Sequence, residues 1–145
     1  MANILYPKGK EHLLDGAIDL NTDTIRCMLV DSGVYTYNAA DNYFDDIPVG
    51  SRVGNSGSST RANGGQLTSP TITDGVFDAA AVTLTSVSTG GPYEYVVIYR
   101  DDGVADTSSE LLALIDTASS GLPVTTNGGD VTITWDTGAN KIFAL

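Results

Sequence analysis

The feature that most limits the fold is a repeated alternation of short apolar runs and turn residues. Clusters of glycine, asparagine, aspartate and serine recur along the whole chain, whose 145 residues are the length of one domain. Short runs rich in β-branched and aromatic residues between such clusters predict strands. The strands are expected at 25–31, 66–73, 82–87, 93–99, 110–116, 131–135 and 141–145. Because helical patterns do not alternate with these strands, we predict an all-β fold, an antiparallel β-sandwich with jelly-roll topology, over residues 1–145 as a single domain.

Residues 8–20 are the segment that favours a short N-terminal helix. Leu13 and Leu14 would face inward there, and Gly16 is a suitable C-cap because glycine accepts the left-handed conformation that ends many helices. A further helical turn is predicted over residues 42–47, before Pro48.

The first ten residues allow two interpretations. Pro7 and Gly9 disfavour a regular helix, which predicts an extended N-terminal arm over residues 1–10. Such an arm would lay apolar anchors and lysines along the surface of a partner. The candidate contact residues are Ile4, Leu5, Tyr6, Lys8 and Lys10. In the alternative, the apolar residues form an edge strand of the protein's own sandwich.

Two other segments carry specific expectations. Residues 50–65 are rich in glycine and serine, which predicts a flexible surface loop. At the end of the chain, Ile142, Phe143 and Leu145 predict a paired strand whose side chains are partly or fully buried.

The balance of charge excludes some classes of partner. Seven Lys+Arg stand against 18 Asp+Glu, which gives a formal net charge of −11. Affinity for nucleic acid comes largely from cations that neutralise phosphates, so we expect no nucleic-acid partner. Anionic membrane surfaces are disfavoured for the same reason, and no apolar stretch approaches the roughly 20 residues that span a bilayer.

The residues that usually carry catalysis are sparse. Cys27, the one cysteine, lies in an apolar run that predicts a buried side chain, and this cysteine usage fits a chain made in a reducing cytosol. His12, the one histidine, is expected to face solvent from the helix. One residue of each kind supplies neither a catalytic triad nor a zinc site. We therefore expect no enzymatic activity, no cofactor and no metal.

Two groups of aspartates have an alternative interpretation as calcium ligands. They are Asp41, Asp45 and Asp46 in the first group, and Asp101, Asp102 and Asp106 in the second. Neither spacing matches an EF-hand loop. Aspartate is also an ordinary turn residue, because its carboxylate accepts hydrogen bonds from nearby backbone groups. We favour turns over calcium sites at both places.

Tyrosines concentrate on the predicted strand at 93–99. Tyr93, Tyr95 and Tyr99 fall on one side of a two-residue period, and Val96 and Ile98 fall on the other. The tyrosine side would be a protein interface, a plain outer face or a sugar-binding platform, and the valine side would be core.

Three segments resemble a family of small structural proteins from tailed bacteriophages. They are the opening MANILYPKGKEHLLDGAIDLNTDTIRCMLVD, the middle TDGVFDAAAVTLTSVS and the close GLPVTTNGGDVTITWDTGANKIFAL. The likeness spans nearly the whole chain, and its most specific parts are the motifs at 6–10 and 127–130 together with Trp135.

The resemblance implies a capsid decoration, or cement, protein with a β-sandwich fold. Such a protein would bind the major capsid protein on the outer surface of the virion as a homo-oligomer, for which we expect a trimer. A tail, neck or fibre component is the alternative within the virion. A carbohydrate-binding module, using the tyrosines and an aspartate-bound calcium, is the alternative of another class.

Overall fold

The computed structural model describes residues 3–145, which form antiparallel sheets and one short helix. The helix α1 spans Pro7–Leu14. The strands are β1 (Ile4–Leu5), β2 (Ile25–Val30), β3 (Arg52–Val53), β4 (Gly65–Gln66), β5 (Thr71–Thr73), β6 (Val76–Asp78), β7 (Val82–Leu84), β8 (Gly90–Tyr93), β9 (Tyr95–Arg100), β10 (Leu111–Ile115), β11 (Val124–Thr126), β12 (Val131–Ile133) and β13 (Phe143–Ala144). The all-β prediction is confirmed, and the finer assignment to a jelly roll stays a prediction.

A central sheet organises the molecule. Its strand order is β1-β10-β9-β2-β3, and β4 also pairs with β2. The strands β2 and β9 are long apolar runs that pair along their whole length, from Ile25 opposite Arg100 to Val30 opposite Tyr95. The pairing of β10 with β9 shifts register at Leu112, which forms a bulge in the middle of the sheet.

Both faces of the central sheet are buried: successive side chains of β2 and β9 point to opposite sides, and those on both sides are buried. One face, which we call the closed face, is covered by the irregular segment 31–51 with Tyr35, Phe44 and Ile47. The opposite face, which we call the open face, is covered by the later strands with Phe77, Leu84 and Trp135. The sheet side chains of the closed face are Met28, Val30, Val97, Tyr99, Leu111 and Leu114. Those of the open face are Ile25, Cys27, Leu29, Val96, Ile98 and Leu112.

The strands over the open face form a bent two-stranded ribbon and a separate three-stranded sheet. In the ribbon, β7 pairs with β12 and β8 pairs with β11. The two pairs are joined where the backbone of Val87 bonds to Gly128 and Gly129, at 2.8 and 2.9 Å. The three-stranded sheet has the order β13-β6-β5.

The start of the described chain is an edge strand and not a free arm, which corrects the first of the two interpretations. Ile4 and Leu5 pair with Leu114 and Ala113 of β10, and Tyr6 is fully buried. Pro7 begins the helix at a position where its missing N–H costs no hydrogen bond.

Helix α1 packs closely on β10, and this contact explains Gly9. A Cβ atom at Gly9 would lie 2.5 Å from the backbone oxygen of Leu111. The helix ends at Leu14, earlier than predicted, and Gly16 follows with a φ of +82°. Leu14 itself is exposed, so Leu13 alone of the two leucines packs against the core.

The segment 50–65 is built into the fold, which corrects the prediction of a flexible loop. Its ends form β3 and β4, both paired with β2, and its middle contains the 3-10 turns Asn55–Gly57 and Arg61–Asn63. Gly64 is buried because the Tyr99 hydroxyl occupies the space that a side chain would need. Glycine here permits close packing. A glycine-rich composition alone does not show whether the glycines serve close packing or flexibility.

The end of the chain is paired as predicted, with one exception in burial. Phe143 lies opposite Phe77 of β6 and is buried, and Ile142 is half-buried. The backbone N–H of Leu145 donates to the oxygen of Gly75 at 2.9 Å. The Leu145 side chain is 63% exposed, contrary to expectation, because it lies at the rim of an open depression.

Candidate binding surfaces

The contact residues predicted near the N-terminus divide into surface and interior. Lys8 and Lys10 lie on the exposed side of α1, and the Lys8 ammonium pairs with Glu11 at 2.6 Å. Ile4 and Leu5 are half-buried against the core. The Tyr6 hydroxyl bonds to that of Tyr35 at 2.8 Å inside the closed face. Tyr6 is therefore a core residue and cannot contact a partner in this fold.

The predicted tyrosine face does not exist as one surface, which corrects the interpretation of strand 93–99. The strand breaks at Glu94, and Tyr93 packs toward the open face while Tyr95 packs toward the closed face. Tyr99 is fully buried, and its hydroxyl donates to the backbone oxygen of Arg61 at 2.6 Å. The uninterrupted apolar run at 96–98 is the signal that both sides of this strand are covered.

The four arginines of the sequence are all held by the protein's own carboxylates, in what we call the arginine network. Arg61 pairs with Asp101, with Asp102 at 3.3 Å and with Asp106 at 3.4 Å. Arg26 also pairs with Asp101, at 2.7 Å, and Arg52 also pairs with Asp106, at 3.2 Å. Arg100 pairs with Glu110 at 3.0 Å and with Asp23 at 3.1 Å. Arg61 lies at the centre of the network, and its ion pairs hold the segment 55–66 against the loop that follows β9. Sequence reasoning missed this network because the paired residues lie far apart in the chain.

Asp102 shows how the second aspartate group is used. Its carboxylate accepts hydrogen bonds from the hydroxyls of Ser108 and Ser109 and from the backbone N–H groups of Val104 and Ala105. Burial opposes ionisation of Asp102, but these hydrogen bonds outweigh it and hold the pKa of the carboxyl below its usual range. The carboxylate thus stabilises the turn, as the sequence predicted.

Burial likewise opposes ionisation of Asp101, the neighbouring member of the network. The Arg26 hydrogen bond, the backbone N–H of Gly103 and the charges of Arg61 and Arg26 together lower the pKa of its carboxyl. Over residues 3–145, the His, Cys, Asp and Glu side chains form no group of three or more that could hold a metal ion.

The first aspartate group serves the closed face. The Tyr35 hydroxyl donates to Asp41 at 2.7 Å, which continues the hydrogen-bonded chain from Tyr6. Asp46 accepts the backbone N–H groups of Asn42 and Tyr43 at 2.7 and 3.0 Å, and this closes the turn Phe44–Asp46. Burial raises the pKa of the Asp41 carboxyl and of the Tyr35 hydroxyl.

The two reactive residue types of the sequence are engaged in the fold. His12 is half-buried and its Nε2 bonds to the Asn42 Oδ1 at 2.8 Å, so the expectation that it simply faces solvent is wrong. Cys27 is buried as predicted, and burial raises the pKa of its thiol to about 12.

The open face contains a large groove between the ribbon and the central sheet, with a volume of about 900 Å³. Its floor is formed by Leu29 and Val96 of the central sheet, and one wall by Val131 and Ile133 of β12. Trp135 lies at one side, 8% exposed, with its indole N–H donating to the backbone oxygen of Ala80 at 3.0 Å. We call this feature the groove.

The chemistry of the groove suits a protein segment with an apolar side chain. Its rim carries many hydroxyls, among them Thr117, Ser119 and Thr134, which can bond to the backbone of an inserted segment. The charged residues of its lining are Asp136 and Lys141. Sequence analysis missed the groove, although the uncharged run 117–129 is a signal of the surface beside it.

Comparison of the chain with protein-family models, curated proteins and solved structures found no match. A search of the described residues for helices long and apolar enough to cross a membrane also found none.

Proposed function

We propose that the protein is a structural protein of a tailed-bacteriophage virion, namely a capsid decoration protein. In this role it binds the major capsid protein from outside the shell, as a homo-oligomer, after synthesis in the host cytoplasm. The proposal starts from the resemblance of nearly the whole chain to small phage structural proteins. The structure adds support in the distribution of charge and in the groove.

The distribution of charge is the observation that carries the proposal. The arginine network places the four guanidinium groups against internal carboxylates, so they are not offered to a phosphate backbone. In the described part of the chain, Lys10 and Lys141 are the lysines outside any ion pair. The exterior is therefore acidic, which suits a protein that stays soluble outside a shell filled with DNA.

The groove supplies a contact surface for this role. Apolar walls framed by hydroxyls fit an extended capsid segment that inserts an apolar side chain. A single contact of this kind can be modest, because a shell presents many equivalent sites to an oligomer.

The direct test is to add the purified protein to shells that lack it and to count bound copies. A decoration protein is expected to saturate at hundreds of copies per shell and to raise the temperature at which the shells disrupt. Saturation at a handful of copies would instead support the tail, neck or fibre alternative. Absence of binding to any virion part would contradict the proposal.

A further inference from the structure

The edge strand β5 is the most exposed strand of the described chain. Thr71, Ile72 and Thr73 are all exposed, and β6 is the strand that pairs with β5. Ile72 is 46% exposed although it lies opposite Phe77, which in turn lies opposite Phe143. An apolar row thus runs across the three-stranded sheet and ends half-exposed at its free edge.

The hairpin geometry shows which backbone groups that edge offers. Asp74 and Gly75 form a two-residue turn, with φ of +53° and +79°, between Thr73 and Val76. A turn of this type closes on a hydrogen-bonded pair, and such pairs alternate along an antiparallel ladder. Thr73 therefore bonds to β6, while the N–H and C=O of Ile72 point away from the sheet.

The distribution of charge around β5 favours a second copy of this chain as the partner. A chain with a net charge of −11 repels its own copies over most of its surface. Residues 62–73 contain no charged side chain, so this repulsion is reduced at β5, where the nearest carboxylates are Asp74 in the turn and Asp78 on β6. The sequence Thr-Ile-Thr is also self-complementary: antiparallel pairing centred on Ile72 places each Thr71 opposite a Thr73 of the second copy, a favourable cross-strand pair.

We propose that two copies of this chain associate through β5 about a two-fold axis centred on Ile72, to form one continuous six-stranded sheet. Each Ile72 exchanges both backbone hydrogen bonds with its counterpart, and the apolar row becomes continuous from one Phe143 to the other. The adjacent depression, whose lining includes Leu13, Ile72 and Leu145, lies beside the contact. The strand is short, so the association is weak for isolated protein and is reinforced where many copies are held together.

Disulfide trapping tests the contact and its register. At a hydrogen-bonded pair the two Cα atoms lie about 5.5 Å apart, a distance that a disulfide spans. Ile72→Cys is therefore expected to cross-link into a dimer under mild oxidation. Thr73→Cys is the register control, because the two Thr73 Cα atoms would lie about 9 Å apart, beyond disulfide reach. The native Cys27 is fully buried and does not compete.

Sedimentation velocity across a range of concentrations gives the second measurement. Ile72→Lys is expected to weaken self-association by about tenfold or more, because it adds like charges at the centre of the contact. Val104→Lys, which changes an 80% exposed valine on another loop, should associate as the wild type does. Equal cross-linking of the two cysteine variants or self-association unaffected by Ile72→Lys would overturn the proposal. Assembly into trimers, the state expected from the phage resemblance, would also overturn it. The inference does not rest on the proposed function, because both measurements use the isolated protein.

Discussion

The two faces of the central sheet are covered in different ways. On the closed face, hydrogen bonds and ion pairs hold an irregular segment against the sheet, as in the chain from Tyr6 through Tyr35 to Asp41. On the open face, the ribbon stands off far enough from the sheet to leave the groove. Residues of the same chain cover the closed face, whereas the open face retains apolar walls that another molecule can cover.

The residues of the closed face stabilise the fold, whereas those of the groove are able to bind a partner. On the closed face, the hydroxyls of Tyr6 and Tyr35 and the Asp41 carboxylate bond to one another, so these groups carry stability and have little left to offer a ligand. The half-buried side chains of the groove, such as Val131 and Ile133, gain most when a further apolar group packs on them. Substitutions on the two faces should therefore differ in kind as well as in size.

The largest loss of stability is expected on the closed face, from Tyr6→Ala. Removal of this fully buried ring should lower the free energy of unfolding by about 3–5 kcal/mol, because the cavity cannot refill. Tyr6→Phe keeps the ring and should cost only about 1 kcal/mol for the lost hydrogen bond to Tyr35. Denaturant titration measures both, and a small loss in Tyr6→Ala would return the N-terminal segment to the status of a free arm.

The arginine network should give the next largest effect. Arg61→Ala leaves the nearly buried carboxylates of Asp101 and Asp102 without their shared cation, at an expected cost of about 3 kcal/mol. Lys8→Ala is the matched control, since its pair with Glu11 is solvent-exposed and is expected to add almost no stability. Equal losses in the two variants, measured in the same titration, would mean that the network adds no stability beyond that of a surface pair.

The same network predicts that acid destabilises the protein. The pKa values of Asp101 and Asp102 are lower in the folded state, so below the usual aspartate pKa of about 3.9 the unfolded chain binds more protons. Their contribution is present above that pH and is lost as the pH falls. The raised pKa of Asp41 acts with the opposite sign, since its contribution is lost as the pH rises.

Thermal unfolding between pH 5 and pH 2 measures this dependence. Asp102→Asn, although less stable at neutral pH, should give a flatter curve. A wild-type curve that is flat or rises toward low pH would contradict the assignment.

The smallest change in unfolding free energy is expected when a valine is enlarged to phenylalanine on each of the two faces. Val97→Phe on the closed face should cost about 1–3 kcal/mol, because that packing has no room for a ring. Val131→Phe places a ring in the groove, and the expected change in unfolding free energy is within about 0.5 kcal/mol. Equal losses would indicate that the groove is closed in solution.

Sequence reasoning predicted local structure better than it predicted surfaces. The strands β2 and β9 follow directly from short apolar runs, although the strand predicted at 93–99 is interrupted at Glu94, and Gly16 has the left-handed conformation expected after a helix. The prediction of an exposed tyrosine face is wrong, because a two-residue period does not reveal whether one side of a strand or both sides are covered. The partners of Arg61 were unpredictable because they lie 40 or more residues away and meet only after the sheet has formed.

In the proposed function, the groove of the open face, and not the arginine network, binds the capsid. The decisive measurement is the affinity of two lysine variants for shells that lack the protein. Ile133→Lys charges the groove wall, and Val104→Lys makes the same change on the loop beside the network. Matching near-ultraviolet circular dichroism and melting temperatures confirm that both variants are folded. We expect at least about a tenfold loss of affinity for Ile133→Lys and none for Val104→Lys. Wild-type affinity of Ile133→Lys, or a loss confined to Val104→Lys, would contradict it.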